Sequence, residues 1–411
     1  MAILACGGEA AAREVTATEG PGLKLTQSTV LHPAAVAELG YDSNVALAAH
    51  AVGSGFVRFQ LRADWASRPP QRLPGVGVTA ARQKIEFRLG LSVERRDYFS
   101  RDARSLSAFQ LDEAGRLTVN PQGTVAGTAS AQYTRTLLPR NFEPIGPYMR
   151  DVVGATAGGL YRTKRGRYEF GLGYEFLGDW FEEARLRYAQ SLRHTVRLTG
   201  RKEVLPHLSV SLEVSSAFVL HQEVGTVLQK ADSRPLTIVA SAQGIIRPRL
   251  SATIRLGYVN GFYDDLSNLQ NQRMSQPVAE IEATWQLMQT ARLSGGYSYR
   301  SQDAITGNFY VDNLVYLRYD QVLVVPRFRS ILGSLRAAYR HRDYHGLPVG
   351  YMSRDDDILQ IQATIELPLK DWLLGGIGYD MSADFTGFRD PAGIAYRYVR
   401  HEVFGKVQVS Y

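Results

Sequence analysis

The sequence predicts an all-β protein, a transmembrane antiparallel up-and-down β-barrel of about eighteen strands, with sixteen as the alternative count. Three observations predict it. Apolar and polar residues alternate with period two, in segments of about ten residues, along nearly the whole chain. The breaks between segments alternate between long polar stretches and short ones marked by Pro, Gly and charge. Finally, the chain ends on a strand-like segment whose last residue is aromatic.

Composition leaves this reading open and closes others. The chain has 411 residues, 38 of them Gly and 22 Tyr. No run approaches the roughly 18 apolar residues of a membrane helix, so a helical membrane protein is excluded. A barrel is not excluded, because only alternate residues face lipid and average hydropathy then looks soluble. The single Cys6 excludes a disulfide scaffold and a cysteine-based metal site. The formal net charge of +7 comes without a clustered basic segment, so nucleic acid is not an expected partner.

Residues 1–31 read as a signal-peptide remnant and periplasmic lead-in, and 32–411 as the barrel. The opening M-A-I-L-A-C-G-G-E-A-A-A has no basic region, a short apolar part and a small-residue cleavage region at Ala10-Ala11-Ala12. Ile3-Leu4-Ala5-Cys6-Gly7 also resembles a lipobox, which would place a lipid on Cys6; removal with a signal peptide is the other fate.

From Pro33 the alternation can be followed strand by strand. Val57, Phe59, Leu61, Ala63 and Trp65 oppose Arg58, Gln60, Arg62 and Asp64. Ile85, Phe87, Leu89, Leu91 and Val93 oppose Lys84, Glu86, Arg88 and Glu94. Tyr168, Phe170, Leu172, Tyr174 and Phe176 oppose Arg167, Glu169 and Glu175. The same holds for Leu208 to Val214, Ile281 to Leu287 and Leu359 to Ile365 against their polar neighbours. Two stretches are weaker: 108–119, interrupted by Asp112-Glu113-Ala114-Gly115, and 313–324, which chooses no clear face.

Counted back from the C-terminus, long breaks fall at 381–395, 342–355, 301–308, 260–276, 221–234, 178–191 and 136–151. Short ones fall between them at 368–371, 325–327, 288–290, 246–249, 203–207, 163–166 and 120–122. Short turns on one rim and long loops on the other describe a barrel in the outer membrane of a Gram-negative bacterium, with both termini periplasmic. Sandwiches and propellers also alternate, but no blade-length repeat is present. Tyr41, Tyr98, Tyr133, Tyr161, Tyr188, Tyr258, Tyr299, Tyr339 and Tyr379 sit near strand ends, as an interfacial girdle requires.

The last strand closes the count. Val403, Gly405, Val407, Val409 and Tyr411 share one face with His401, and Lys406 and Gln408 take the other. The terminal aromatic, the apolar residues two and four places before it and Gly405 resemble the C-terminal signal of outer-membrane barrels. The expected partners are therefore the barrel assembly machinery, outer-membrane lipid and lipopolysaccharide.

Gly40-Tyr41-Asp42-Ser43-Asn44-Val45, after Ala35-Val36-Ala37-Glu38-Leu39, resembles the opening of a family of outer-membrane β-barrel porins. Residues 181–206 are similar to that family's middle section. The resemblance implies an aqueous conduit associated with exopolysaccharide export, fed by a polysaccharide and a separate periplasmic export partner. The alternative is a general or sugar-selective porin for uptake of small solutes, and a barrel enzyme is the third class.

A barrel of this size encloses a water-filled channel. Arg58, Arg62, Arg88, Arg167, Arg193, Arg197, Arg255, Arg292, Arg300, Arg336, Arg340 and Lys406 are expected to line it. The functional reading is a mildly electropositive wall for hydrated, often anionic solutes. The plainer reading is pairing with the interspersed carboxylates of neighbouring strands, which simply holds the wall. Catalysis finds little support, since His194, His207, His221 and His401 are scattered and a solvated loop accounts for His341, Asp343 and His345. Asp355-Asp356-Asp357 has the chemistry of a hard-cation site but also of a hydrated loop. No cofactor, metal or catalytic residue is expected.

Overall fold

The chain is described from a computed structural model, which covers residues 22–26, 28–67, 84–137, 143, 148–163, 166–222, 230–264, 266, 269, 273–325, 328–389 and 393–411. A short strand, β1 (Leu23–Thr26), precedes the barrel. Its first nine strands are β2 (Thr29–Asp42), β3 (Ser54–Ser67), β4 (Ile85–Tyr98), β5 (Ala108–Val119), β6 (Val125–Thr136), β7 (Arg150–Arg162), β8 (Tyr168–Phe181), β9 (Ser191–Leu205) and β10 (Leu208–His221). The second nine are β11 (Leu236–Arg247), β12 (Leu250–Asn260), β13 (Ser275–Met288), β14 (Ala291–Asp303), β15 (Phe309–Val325), β16 (Phe328–His345), β17 (Asp355–Lys370), β18 (Leu373–Asp384) and β19 (Tyr398–Ser410). Each pairs antiparallel with its sequence neighbours, and β19 pairs with β2, so the sheet closes on itself with eighteen strands. The count of sixteen is set aside. The signal-peptide remnant and the lipobox at Cys6 lie outside the described residues.

Connections follow the expected alternation. Residues 120–124, 206–207, 248–249, 289–290 and 371–372 separate strands at one rim, and the longer loops lie at the other, except that residues 68–84, all but the last outside the described residues, join β3 to β4 at the short-turn rim. Both weak stretches become single strands, β5 and part of β15. In β5 the alternation runs straight through the charged interruption. Asp112 pairs across from Ser92 on the inner face, and Glu113 pairs across from Leu91 on the outer.

The outward positions are where the exposed large apolar residues lie, among them Leu39, Phe59, Leu61, Leu172, Leu198, Leu256, Leu317, Ile377 and Val403. Such a contiguous exposed apolar surface is unfavourable in water and is what a bilayer covers. Trp65, Trp285 and Trp372 stand near the short-turn rim, and Tyr41, Tyr258, Tyr339 and Tyr379 near the long-loop rim. Two expected girdle residues turn elsewhere. Tyr98 faces inward against Phe56, and Tyr188 is buried in a loop cluster. Both lie at strand or loop positions whose register aims the ring away from the bilayer.

The seam is sealed from both sides. β19 pairs with β2 from Glu402 opposite Asp42 to Ser410 opposite Ala34, and Tyr411 N–H donates to Pro33 O at 3.0 Å. Where β19 stops, β1 continues along β2, with Leu23 opposite Leu31. Among the described residues, no strand from β2 to β19 is left as an edge for another chain to add to. On the inner face Phe404 lies over Gly40 and Gly378, where an added Cβ would come within 2.8 and 2.2 Å of its side chain. Gly405 is different: a Cβ there would meet open space, so packing does not require glycine at that place in the terminal signal.

Candidate functional site

The inner wall is charged, and most of its charges are paired between strands. At the seam, Arg400 donates to Asp42 at 2.7 and 2.9 Å and contacts Glu402, which also accepts from Arg96 at 3.2 Å. Arg58 contacts Glu38 and lies 3.8 Å from Glu94, while Lys406 contacts Glu366. Farther round, Arg197 bridges Glu175 (3.5 Å) and Glu213 (3.2 Å), and Arg255 meets Glu280 at 3.3 Å. Arg292 and Arg318 both reach Asp320 at 3.0 Å. Register explains most of the pattern, since directly opposed or diagonal inward positions on adjacent strands bring side chains within reach. Lys406, however, reaches Glu366 over Gly376 of the intervening β18, and Arg96 reaches Glu402 across β2 and β3.

The structure places eleven of the twelve basic residues expected to line the channel on the inward face of the strands. These are Arg58, Arg62, Arg88, Arg193, Arg197, Arg255, Arg292, Arg300, Arg336, Arg340 and Lys406. Arg167 is the correction. It sits exposed in the turn ahead of β8, where its carbonyl accepts from Glu203 N–H, so it belongs to the rim and not to the wall. Sequence reading missed inward Arg96, Arg116, Arg150, Arg162, Arg201, Arg318, Arg342 and Arg400. Each shares the parity of a neighbouring inward charge, which was the available signal; Arg96 was hidden by the consecutive charges of Arg95-Arg96-Asp97. With these added, acidic and basic side chains on the wall are about equally numerous, and the wall is mixed in sign rather than electropositive. Arg116 and Arg193 make no ion pair among the described residues.

The long-loop mouth was not foreseen. Residues 304–308, between β14 and β15, are all buried, and Ala304 and Ile305 have no exposed surface. Ile305 N–H donates at 2.6 Å to Glu143, which belongs to the loop between β6 and β7, almost diametrically opposite in strand order. The Ile305 side chain packs with Tyr148, Phe181, Leu186, Tyr188 and Ala189. Lys230 reaches Asp303 (2.7 Å) and the Ala304 carbonyl, and Asn308 Oδ1 accepts from Ala231 N–H at 3.1 Å. Such contacts across the barrel require the loops to fold over its mouth.

Arg354 holds this assembly from the loop between β16 and β17. Its guanidinium is fully buried, donates to Asp356 at 2.6–3.1 Å and to Thr306 Oγ1 at 3.1 Å. It also stacks over Tyr344, Phe388 and Tyr396, with ring centroids 4.2, 5.2 and 5.1 Å away. Burial opposes its charge, but Tyr344 and Asp356 beside it hold its pKa above the usual range. One side chain therefore ties three loops together.

The remaining candidates separate. His341 bonds Asp357 at 2.9 Å on the outer face, whereas His345 lies 3.1 Å from Asp343 and stacks on Phe309. Asp355, Asp356 and Asp357 fall in β17, where alternation sends Asp356 inward to Arg354 and Asp357 outward to His341 and Tyr339. A strand cannot aim three successive carboxylates at one cation. Gly405, Val407, Val409 and Tyr411 lie on the outward side of the closing strand.

No protein-family model matches the chain, and no curated protein matches it. Among solved structures it is similar to OpdK from Pseudomonas aeruginosa, crystallised with vanillate, at 10% identity over 93% of this chain and 99% of that one, with a TM-score of 0.48. It is also similar to OccAB4 from Acinetobacter baumannii, at 9% identity, 94% and 99% coverage and a TM-score of 0.46. The siderophore receptor PirA from the same species gives 9% identity, 95% and 81% coverage and 0.45. At such identities and scores these similarities carry nothing beyond the barrel already described. The closed eighteen-strand sheet, its outward apolar band and its charged interior make this chain an outer-membrane β-barrel.

Proposed function

We propose that the chain is a porin for passive diffusion of small hydrophilic solutes, gated or narrowed at its long-loop mouth. The short turns are assigned to the periplasm and the long loops to the cell exterior, as is usual for such barrels. The observation that carries the reading is the pairing of a charged inner wall with loops that meet across one mouth through Glu143, Ile305 and Arg354. A wall of mixed sign offers many weak, exchangeable contacts, which allows entry and release. A mouth crossed by residues 304–308 suits small molecules better than a polysaccharide thread, so no observation favours the export reading over uptake. Among the described residues, no nucleophile and base are placed together as an enzyme reading would need.

The test is conductance of the full-length protein in planar bilayers. Small discrete openings, blocked by its own small solute, are expected. Arg354→Ala should raise the open conductance or its frequency, because three loops lose their common tie. A protein that inserts but passes no ions in either form would overturn the reading.

A further inference from the structure

The short-turn rim carries a feature that the solute path does not use. At the turn between β11 and β12, the register slips between Ile245 and Arg247, so that Arg247 stands opposite Leu250. Leu250 in turn stands opposite Trp285, whose ring is exposed on the outward face. The bulge thus moves Arg247 from the inward parity of β11 to the outward face, as bulges commonly re-aim a side chain. Arg247, Pro248, Arg249, Leu250 and Trp285 together line a hollow of about 440 Å³. Neither guanidinium has an ion-pair or hydrogen-bond partner among the described residues. Elsewhere on the wall arginines are mostly matched by carboxylates, whereas these two exposed guanidinium groups stand side by side with their donors open to an anion.

We propose that Arg247 and Arg249 form a clamp for the phosphate of a membrane phospholipid, with Trp285 and Leu250 covering the upper part of its acyl chains. Guanidinium forks match phosphate oxygens bidentately, and tryptophan belongs at the headgroup boundary. Two further cations stand over outward rings at the same rim: Lys370 lies 5.1 Å from the Trp372 ring and Lys202 5.5 Å from that of Tyr168. At the opposite rim the outward charges are matched instead: Arg95 pairs with Asp97, Arg135 with Asp151 and Glu182, His345 with Asp343 and His341 with Asp357. The outward arginines left without a carboxylate are thus at the short-turn rim, which suits it to direct contact with anionic headgroups. This inference does not depend on what passes through the barrel.

Native mass spectrometry of the detergent-solubilised full-length protein, titrated with phosphatidylglycerol, tests it. The double variant Arg247→Gln/Arg249→Gln should retain about thirtyfold less of that lipid, at about 1 kcal/mol for each of the two cations near a headgroup, with unchanged bilayer conductance. Equal retention by both forms overturns the proposal. So does equal binding of phosphatidylglycerol and a neutral diacylglycerol by the unaltered protein, a comparison that stands even if the variant fails to fold. Displacement of the lipid by millimolar inorganic phosphate would make free phosphate the ligand and overturn it as well.

Discussion

Two arcs of the barrel wall are built on opposite plans. Around the closing seam, from β18 through β4, the inner face is dense with coupled charges and aromatic rings. Arg400, Asp42, Glu402 and Arg96 form one network, and Phe404, Phe56 and Tyr98 pack beside it with Ala103. Across β6 and β7 the wall is thin on both faces. Gly127, Ala129, Ala131, Ala155, Ala157 and Gly159 point outward, while Thr128, Ser130, Thr156 and Gly158 point inward. That outer face carries a shallow groove of about 640 Å³, walled by Leu117 and Val119 on one side and by Leu172 and Val196 on the other. The backbone ladder is complete in both arcs. The thin arc shows that the ladder suffices to keep a closed wall. The seam must also bring together chain ends far apart in sequence, and side-chain locks fix which strands meet.

That contrast can be broken experimentally. The largest effect is expected at Arg400. Arg400→Ala leaves Asp42 buried without its cation and should lower stability by about 3 kcal/mol, read from urea unfolding in detergent. The double variant with Asp42→Ala should recover part of the loss. Tyr411→Asp should cut the amount of folded barrel in the membrane while leaving the conductance of what does assemble unchanged, because Tyr411 faces outward at the end of the seam. Normal membrane levels would remove the terminal aromatic from the closing mechanism.

On the other arc effects should be small or favourable. Glu113 is an outward carboxylate on β5, flanked by Leu91 and Tyr133. Glu113→Leu should stabilise the inserted barrel by about 1 kcal/mol, since acidic residues on the lipid face cost less than Lys or Arg but still cost. Smallest of all, Gly127→Ala should shift stability by less than about 1 kcal/mol, because its Cβ would meet only the Gly158 carbonyl at 4.0 Å. A large loss there would show that the thin arc depends on close contact with something outside the chain.

Period two was enough to place nearly every strand and turn, because lipid on one side and water on the other impose alternation residue by residue. It faltered where a wall residue breaks the code. Glu113 faces outward despite its charge, and Leu314 and Val322 face inward despite lacking any. The inward list was legible for the same reason, and Arg167 failed because a parity rule does not say where a strand begins.

What the sequence determined alone, then, is the local code: eighteen alternating strands, short and long connections by turns, an outward face on β19 ending at Tyr411. What only the tertiary structure decided is everything that depends on contact between distant segments. It decided that Arg400 answers Asp42, that the wall's charges balance, and that Ile305 crosses the mouth to Glu143. Alternation is set by each residue's immediate solvent, whereas pairing and closure depend on register and on loops whose partners lie on the far side of the barrel.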